Sequence, residues 1–350
     1  MIHISYLFIR TWPFLPSDLP SLISDSRLGF IDPHGVHFSD RRRIRTGKYW
    51  RLDEDRASID EFSDQFLPYK GIFNCTDEVF SQGFYDGTLF RFPFRREPSD
   101  LSETLYNEDK MTTLFDSFKA DASLILLFLQ SLESVELYTR EESDSSPSKI
   151  FQVKIAEKSL QTVRAKRKEF RKKITPGKVM PEPVTVSYPM TIETTNFETH
   201  LTEKYSFFVT NYFCGGQVSS TFKKLMTDKD LSYLPTVGVA MALPDGPKLQ
   251  TPDIQGHVYC FLPLPVQTKS LTGLPEHVNG FFALSQNRRY IKSPNADQEE
   301  RQKAGRKMTD KSLLWNKCLL EEALPKAYAT MILEAINEKS VFISKTAIYK

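Results

Sequence analysis

The sequence lacks the short motifs that mark the common nucleotide, zinc and hydrolase sites. It contains no G-x-G-x-x-G, no H-E-x-x-H and no G-x-S-x-G segment. Gly47 and Lys48 come nearest to a Walker-type phosphate loop. Arg42, however, stands where that loop needs its first glycine, and Tyr49 stands where it needs Ser or Thr. These absences exclude a P-loop, a dinucleotide fingerprint, a zinc-protease helix and a nucleophile elbow.

The sequence also has few cysteines, no long apolar run and little net charge. The four cysteines stand far apart with no C-x-x-C pair, so the sequence indicates neither a zinc site nor a disulfide framework, and we expect reduced thiols in a cytoplasmic protein. No segment approaches the ~18 apolar residues of a membrane helix, so we expect no membrane partner. The net charge is only +2, which requires any anion site to be local.

The hydrophobic pattern predicts an α+β protein of about two domains. Helical periodicity predicts helices over residues 110–132, 157–173, 310–322 and 325–338. Alternation predicts strands in DGTLFRFPFR (86–95) and KIFQVKIA, and from about residue 184 onward in VTVSYPMTI, KYSFFVTNYFC, TVGVAMAL, GHVYCFLPL and NGFFALS.

Two of the predicted strand regions contain residues that predict a turn and a sheet edge. The DPHG segment suits a type I turn, so residues 26–38 are predicted to form a hairpin. Pro93 places the end of the 86–95 strand at a sheet edge. Alternation directs three aromatic side chains to one face of that strand, which we expect to be partly exposed: Phe90, Phe92 and Phe94.

Two small clusters could carry chemistry, although each has a simpler interpretation. Asp32, His34 and His37 could touch a metal ion, or they could be surface residues of a turn. Cys214 precedes two glycines and could be a reactive thiol on a tight turn, or a structural thiol.

Positive charge is concentrated at three places. Residues 41–50 combine arginines with aromatic residues, and residues 164–173 form a basic helical segment; each could contact nucleic acid or form a solvated surface. Arg288 and Arg289 follow the apolar segment HVNGFFALSQN. They either reach toward an anion such as a phosphate or end a strand in solvent.

Four segments, in this order, resemble the sacsin repeat family: LPSLISDSRLGFIDPHG, DGTLFRFPFR, GHVYCFLPLP and HVNGFFALSQNRR. The resemblance runs from about residue 17 to residue 338, nearly the whole chain. Repeats of that family begin with an ATPase domain of the GHKL superfamily. The resemblance therefore implies a chaperone-type module, with protein clients or co-chaperones as partners and with ATP and Mg²⁺ as the family's cofactors.

The GHKL fold, called the Bergerat fold, holds ATP with parts in a fixed order. A helix supplies a Glu that activates water and an Asn that holds magnesium; an Asp for the adenine amine, a glycine-rich lid and a strand with Gly-Thr follow. Gly87 and Thr88 resemble that last part, in which Thr supports the adenine Asp through water. Residues 1–16 stand where the lid would end but contain no glycine, and we expect the earlier parts to lie before Met1.

In the superfamily, a following domain sends a basic residue back to the γ-phosphate. The resemblance makes Arg288 and Arg289 the candidates for this role and leaves open which of them reaches a phosphate. An arginine there would stabilise the charge of a transferring phosphoryl group.

The resemblance implies a partial Bergerat-type α/β sandwich, with its N-terminal part missing, followed by a strand-rich α/β second domain. The expected parts are a divergent N-terminus at 1–16, the C-terminal part of a GHKL-like ATPase domain at 17–105, a connector of helices and strands at 106–183 and a second α/β domain at 184–350.

Three functions are compatible with these features. The first is a sacsin-like chaperone module that binds clients and has an incomplete ATP site without hydrolysis of its own. The second is a GHKL-type ATPase completed by another chain, and the third is a nucleic-acid-binding module, against which the balanced net charge argues. Whether the chain is an enzyme stays open, because the catalytic Glu, the metal-binding Asn and the lid are not in these residues.

Overall fold

The structure is a computed structural model that describes most of the chain. The described residues are 2–9 (backbone only), 20–32, 39–55, 57, 60, 69–94, 97–98, 103–141, 144, 146–174, 181–231, 233–243, 255–265, 271–293 and 310–337.

The chain folds into two compact units. The small unit comprises residues 6–117 and 137–150, and the large unit comprises residues 1–5, 118–136 and 151–350. Helices make up 31% and strands 35% of the structure, which confirms the predicted α+β class. The predicted domain boundaries stay a prediction.

The small unit is built on an antiparallel four-stranded sheet. Its strands are β2 (Ser21–Asp25), β3 (Arg27–Ile31), β4 (Gly47–Arg51) and β5 (Tyr85–Arg91), in the order β4-β3-β2-β5. The short helix α1 (Asp77–Gln82) precedes β5. Alternating side chains on the inner face of the sheet form a core with residues near α1: Ile23, Leu28, Phe30, Trp50, Leu52, Tyr69, Cys75, Val79 and Tyr85.

The hairpin predicted over residues 26–38 is wrong. The observed hairpin joins β2 to β3 and turns at Asp25, whose φ is +50°, and Ser26. Strand β3 pairs with β2 on one side and with β4 on the other, so both of its edges are occupied. The predicted turn, 32–35, lies outside the described residues except for Asp32, and so does the predicted second arm, 36–38.

The strand predicted at 86–95 is confirmed as β5, which begins one residue earlier and ends at Arg91, two residues before Pro93. It pairs with β2 and is the last strand in the sheet order, as the proline indicated. The expected exposure of its aromatic face is also observed, since Phe90 and Phe92 are 55% and 70% exposed.

A nine-stranded sheet lies mainly in the large unit, in the order β1-β6-β7-β8-β9-β10-β13-β11-β12. Its strands are β1 (Ile2–Ile9), β6 (Leu132–Arg140), β7 (Ser148–Ile155), β8 (Val184–Asn196), β9 (Leu201–Phe213), β10 (Thr236–Leu243), β11 (Val258–Cys260), β12 (Leu262–Pro263) and β13 (His277–Gly280). The remaining helices are α2 (Glu108–Ile125), α3 (Glu157–Lys173), α4 (Ser220–Met226), α5 (Lys311–Cys318) and α6 (Leu324–Asn337). None of the described helices combines the length and hydropathy that a membrane span requires.

Helices cover both faces of this sheet. Arg167 of α3 contacts the sulfur of Met190, which is cross-strand to Phe207. Phe208, the next residue of β9, points to the opposite face and belongs to the core that includes α5 and α6. The central strands are therefore buried on both sides, which explains their long apolar runs.

The helix predicted over 110–132 is shorter than expected. Leu126, Leu127 and Phe128 are all completely buried, and three consecutive side chains of a surface helix cannot point into one core. The chain leaves the helix at Ile125, and the buried Arg167 donates to the carbonyl of Leu126 at 2.8 Å.

The two predicted C-terminal helices form one continuous helical segment. Helix α5 passes through a π-helical turn, Leu319–Ala323, into α6. The N–H of Leu324 donates to the carbonyl of Leu319, five residues earlier. Pro325 follows directly, and since it has no N–H and crowds the preceding turn, the wider π turn lets the helix continue.

Candidate functional site

Gly87 and Thr88 lie on β5 of the small unit. Gly87 has a φ of +139°, which L-amino acids rarely adopt, and a Cβ added there would meet only Tyr85, at 3.5 Å. The glycine is therefore required by the backbone conformation rather than by space. Thr88 is exposed, and its hydroxyl lies 2.8 Å from the hydroxyl of Ser24 on β2.

Thr88 points away from the core of the small unit, toward what we call the outer face of the sheet. Strand pairing defines two rows of residues on this face. The apolar row consists of Tyr49, Gly29, Leu22 and Phe90. The polar row consists of Arg51, Arg27, Ser24 and Thr88. The two rows are about 7 Å apart, two residues along each strand.

Arg288 and Arg289 lie in a tight turn of the large unit and not at the end of a strand. Strand β13 ends at Gly280, so the strand predicted in NGFFALS is wrong beyond its first residues. The turn is closed by the N–H of Ser285, which donates to the carbonyl of Tyr290 at 2.9 Å. Both arginines are exposed, and Arg288 has a φ of +55°, a left-handed conformation that is uncommon for arginine.

Hydrogen bonds within the turn fix its tip. The side-chain oxygen of Asn287 accepts from the hydroxyl of Ser285 at 2.7 Å and from the N–H of Arg289 at 3.2 Å. An open depression of about 330 Å³, lined by Gln286, Asn287 and Tyr290, lies beside the tip. The turn therefore presents its arginines from a defined backbone.

Helix α5 holds the base of this turn. The buried Asn316 amide donates to the carbonyls of Ala283 and Lys292, at 2.8 and 2.9 Å, and accepts from the N–H of Ala283 at 2.8 Å. The indole N–H of Trp315 donates to the carbonyl of Phe281 at 2.8 Å. These bonds take the place of strand pairing after Gly280, which is why the chain leaves the sheet there.

The guanidinium of Arg288 acts on the thiol of Cys260. Burial raises the pKa of Cys260, whereas a backbone hydrogen bond from Phe282 and the charge of Arg288 act in the opposite direction.

The comparisons with known proteins agree on one family. A family model described as the sacsin domain matches residues 15–152. Sacsin of Homo sapiens is 38% identical over 333 residues, a match that covers 92% of this chain. The chain belongs to the sacsin family. It spans 7% of the length of the human protein that it matches.

The sacsin domain match includes the whole four-stranded sheet and with it Gly87 and Thr88. Since the similarity to human sacsin extends over 92% of the chain, it continues into the large unit, to which Arg288 and Arg289 belong. The two pairs of candidate residues thus lie in different units.

The other candidates from the sequence have different outcomes. His34 and His37 lie outside the described residues, and the described residues contain no group of three or more His, Cys, Asp or Glu side chains placed to hold a metal. Cys214 is completely buried, and burial raises its pKa to about 12. A thiol with so high a pKa is a poor nucleophile, which favours the structural interpretation of Cys214.

The two basic segments carry less available charge than the sequence indicates. On α3, Arg164 makes a bidentate contact with Glu133 at 2.7 Å, and Arg167 is buried. Before β4, the carboxylate of Asp40 accepts from the backbone N–H groups of Arg42 and Arg43 and lies 3.5 Å from the guanidinium of Arg45.

Sequence patterns did not identify Arg27 or Asn316. Arg27 belongs to no basic cluster in the sequence, and only the register of β3 against β4 brings it opposite Arg51 on the outer face. Asn316 lies within an apolar helix segment, LLWNKCLL, where a buried amide side chain signals a required set of hydrogen bonds.

Proposed function

We propose that this chain is a sacsin-type chaperone module that binds protein clients and carries an incomplete ATP site, so that it hydrolyses no ATP on its own. The observation that carries the proposal is the outer face of the small unit, where Thr88 lies beside exposed aromatic residues. Exposed apolar surface of this kind is typical of protein-binding sites.

The ATP part of the proposal rests on the GHKL resemblance of Gly87 and Thr88. The hydroxyls of Thr88 and Ser24 and the guanidinium of Arg27 share the outer face, and such groups suit a purine edge or phosphate oxygens. The glycine adjoining them adds no side chain that would obstruct a ligand.

Mg²⁺ is less well suited to this face. The ion requires carboxylate or other hard oxygen ligands in near-octahedral geometry, whereas the polar row offers two hydroxyls and two guanidinium groups. The described residues therefore fit a nucleotide in part and do not fit its magnesium ion, and we derive no hydrolytic step.

A second candidate is a GHKL-type ATPase that another chain completes. It is favoured by the fixed turn that presents Arg288 and Arg289, because the left-handed conformation of Arg288 costs energy and such conformations are concentrated at functional sites. In this function, one of the two arginines would meet the γ-phosphate.

Nucleotide titration tests the ATP part. We expect isothermal titration of the purified chain with MgATP to show no saturable binding, and phosphate release to equal the buffer background. Tight, magnesium-dependent uptake with turnover that Thr88→Ala removes would contradict the incomplete site. Turnover that appears only when a second protein is added, and that Arg288→Ala or Arg289→Ala abolishes, would favour the second candidate.

Suppression of aggregation tests the chaperone part. We expect the chain to reduce light scattering by thermally unfolding citrate synthase at near-stoichiometric ratios, with or without ATP. Serum albumin at equal mass serves as the control for crowding. Scattering equal to the albumin control would contradict client binding.

A further inference from the structure

The apolar row of the outer face has a large exposed aromatic side chain at each end, with the half-buried Leu22 and the buried Gly29 between them. Tyr49 at one end of the row is 67% exposed, and Phe90 at the other end is 55% exposed. Phe92 extends the apolar surface beyond Phe90 and is 70% exposed, with its ring stacked on that of Phe90 at a centroid distance of 6.1 Å. A row across four strands spans about 14 Å, so the exposed aromatic side chains at its ends are far enough apart to contact two turns of a partner.

The polar row beside it holds two arginines, of which only Arg51 forms an ion pair among the described residues. Arg51 makes contacts of 2.8 Å with both Asp53 and Glu54. Arg27 lies opposite Arg51 and over the ring of Tyr49 at 5.8 Å, and none of the carboxylates in the described part of the chain is within ion-pair distance of it. A like charge opposite Arg27 leaves its guanidinium available to an anion.

We propose that the outer face binds an amphipathic helix of a protein client, with the apolar stripe of the helix over the apolar row and a carboxylate beside that stripe at Arg27. The proposal names the binding surface and the kind of client for the proposed function and rests on it. Apolar residues at i, i+3 or i+4 and i+7 span about 10 Å of a helix, which the row accommodates.

The charges around the face favour a single carboxylate over a polyanion. Asp53 and Glu54 accompany Arg51, and the exposed Asp86 lies two residues before Thr88 on β5. A phosphate backbone laid across the aromatic side chains would meet these carboxylates. A carboxylate at Arg27 avoids them, so the face suits an acidic helix better than single-stranded nucleic acid.

Two fluorescein-labelled peptides of about five helical turns test the proposal. Both carry the same leucine stripe, bordered by Glu in one peptide and by Lys in the other. By fluorescence anisotropy, we expect the Glu peptide to bind the full chain about tenfold more tightly than the Lys peptide. Phe90→Ser is expected to weaken both, and Arg27→Glu to reverse the preference so that the Lys peptide binds more tightly.

Leu333→Ser is the matched control, because Leu333 is an exposed apolar residue, at 62%, on α6 of the large unit. It should leave both affinities unchanged, and circular dichroism melts should show that every variant is folded. Equal affinities for the two peptides, a preference that survives Arg27→Glu, or tighter binding of a fifteen-residue oligothymidine than of the Glu peptide would each overturn the proposal.

The aggregation assay separates this inference from the proposed function. If Phe90→Ser and Arg27→Glu still suppress aggregation, the chaperone function is retained, but clients do not bind at the outer face. Selective Glu-peptide binding without suppression would support the surface and contradict the chaperone function.

Discussion

His277 is completely buried on β13, where its side chain meets few polar groups. Its Nδ1 accepts from the backbone N–H of His257 at 3.1 Å, and its ring packs against those of Phe207 and Tyr259. Burial, and secondarily the neighbouring His257, lowers the pKa of His277 to about 4. The fold therefore holds this imidazole neutral where an exposed histidine would begin to accept a proton.

The lowered pKa of His277 makes stability depend on pH. The unfolded chain binds a proton at His277 below a pH of about 6.5, whereas the folded chain resists until about 4, so stability is fully present above the first value and declines as pH falls toward the second. We expect urea unfolding to show that the wild type loses about 2 kcal/mol more than His277→Gln between pH 7.5 and pH 5.

The exposed His200 provides the control for this measurement. Its φ is +56°, and Asn tolerates that conformation, so His200→Asn removes an imidazole without straining the backbone. His200→Asn should retain the wild-type pH dependence. If the unfolding free energies of the wild type and His277→Gln depend on pH in the same way, His277 does not cause the loss of stability at low pH.

At the scale of the element, β5 is an edge strand whose start depends on one glycine. We expect Gly87→Ala to destabilise the small unit by about 1–3 kcal/mol, because a residue with a Cβ is strained at a φ of +139°. Hydrogen exchange of the β2–β5 amides would report the loss.

Gly29→Ala is the matched control in the same sheet. An added Cβ at Gly29 would meet Leu22 at 3.6 Å, an ordinary van der Waals distance. Hydrogen exchange should therefore be unchanged or slightly slower in Gly29→Ala. Equal destabilisation by the two substitutions would mean that loss of glycine itself, and not the conformation of Gly87, causes the effect.

The sequence predicted elements well where local pattern decides them. Residues 157–173 were predicted as a helix and form α3 with the same bounds, because its charged and apolar residues follow one period. The prediction of a hairpin at 26–38 is wrong because β4, which begins only at Gly47, occupies the edge of β3. The helix at 110–132 failed at its end because Leu126–Phe128 enter a core that only tertiary packing defines.

The candidate site was predictable only as residue types. The motif located Gly87 and Thr88, but strand pairing decides that Thr88 shares a face with Arg27 and Phe90. Likewise, the sequence shows that Arg288 and Arg289 are adjacent positive charges. The turn that presents them, however, depends on Asn316, 27 residues or more away in sequence. Such partners come from the fold and leave no local pattern.

At the scale of the whole molecule, the two units bury their sheets differently. The central strands of the large unit have helices on both faces, whereas the small unit packs its core on the inner face and leaves aromatic residues exposed on the outer face. Burial of apolar surface supplies most of the stabilising free energy, so we expect the small unit to have the lower stability.

Matched core substitutions can test whether each unit is also a separate unit of unfolding. Ile23 in the small unit and Ile192 in the large unit are both completely buried, and each Ile→Val change should cost about 1 kcal/mol. Native-state hydrogen exchange across a urea series should show β2–β5 opening at lower urea than β8–β10. Ile23→Val should accelerate exchange in β2–β5 alone, because strands that retain their own core need not open with them. If Ile23→Val and Ile192→Val accelerate every slow amide equally, the chain unfolds as a single cooperative unit, and the one-sided burial of the small sheet does not set its stability.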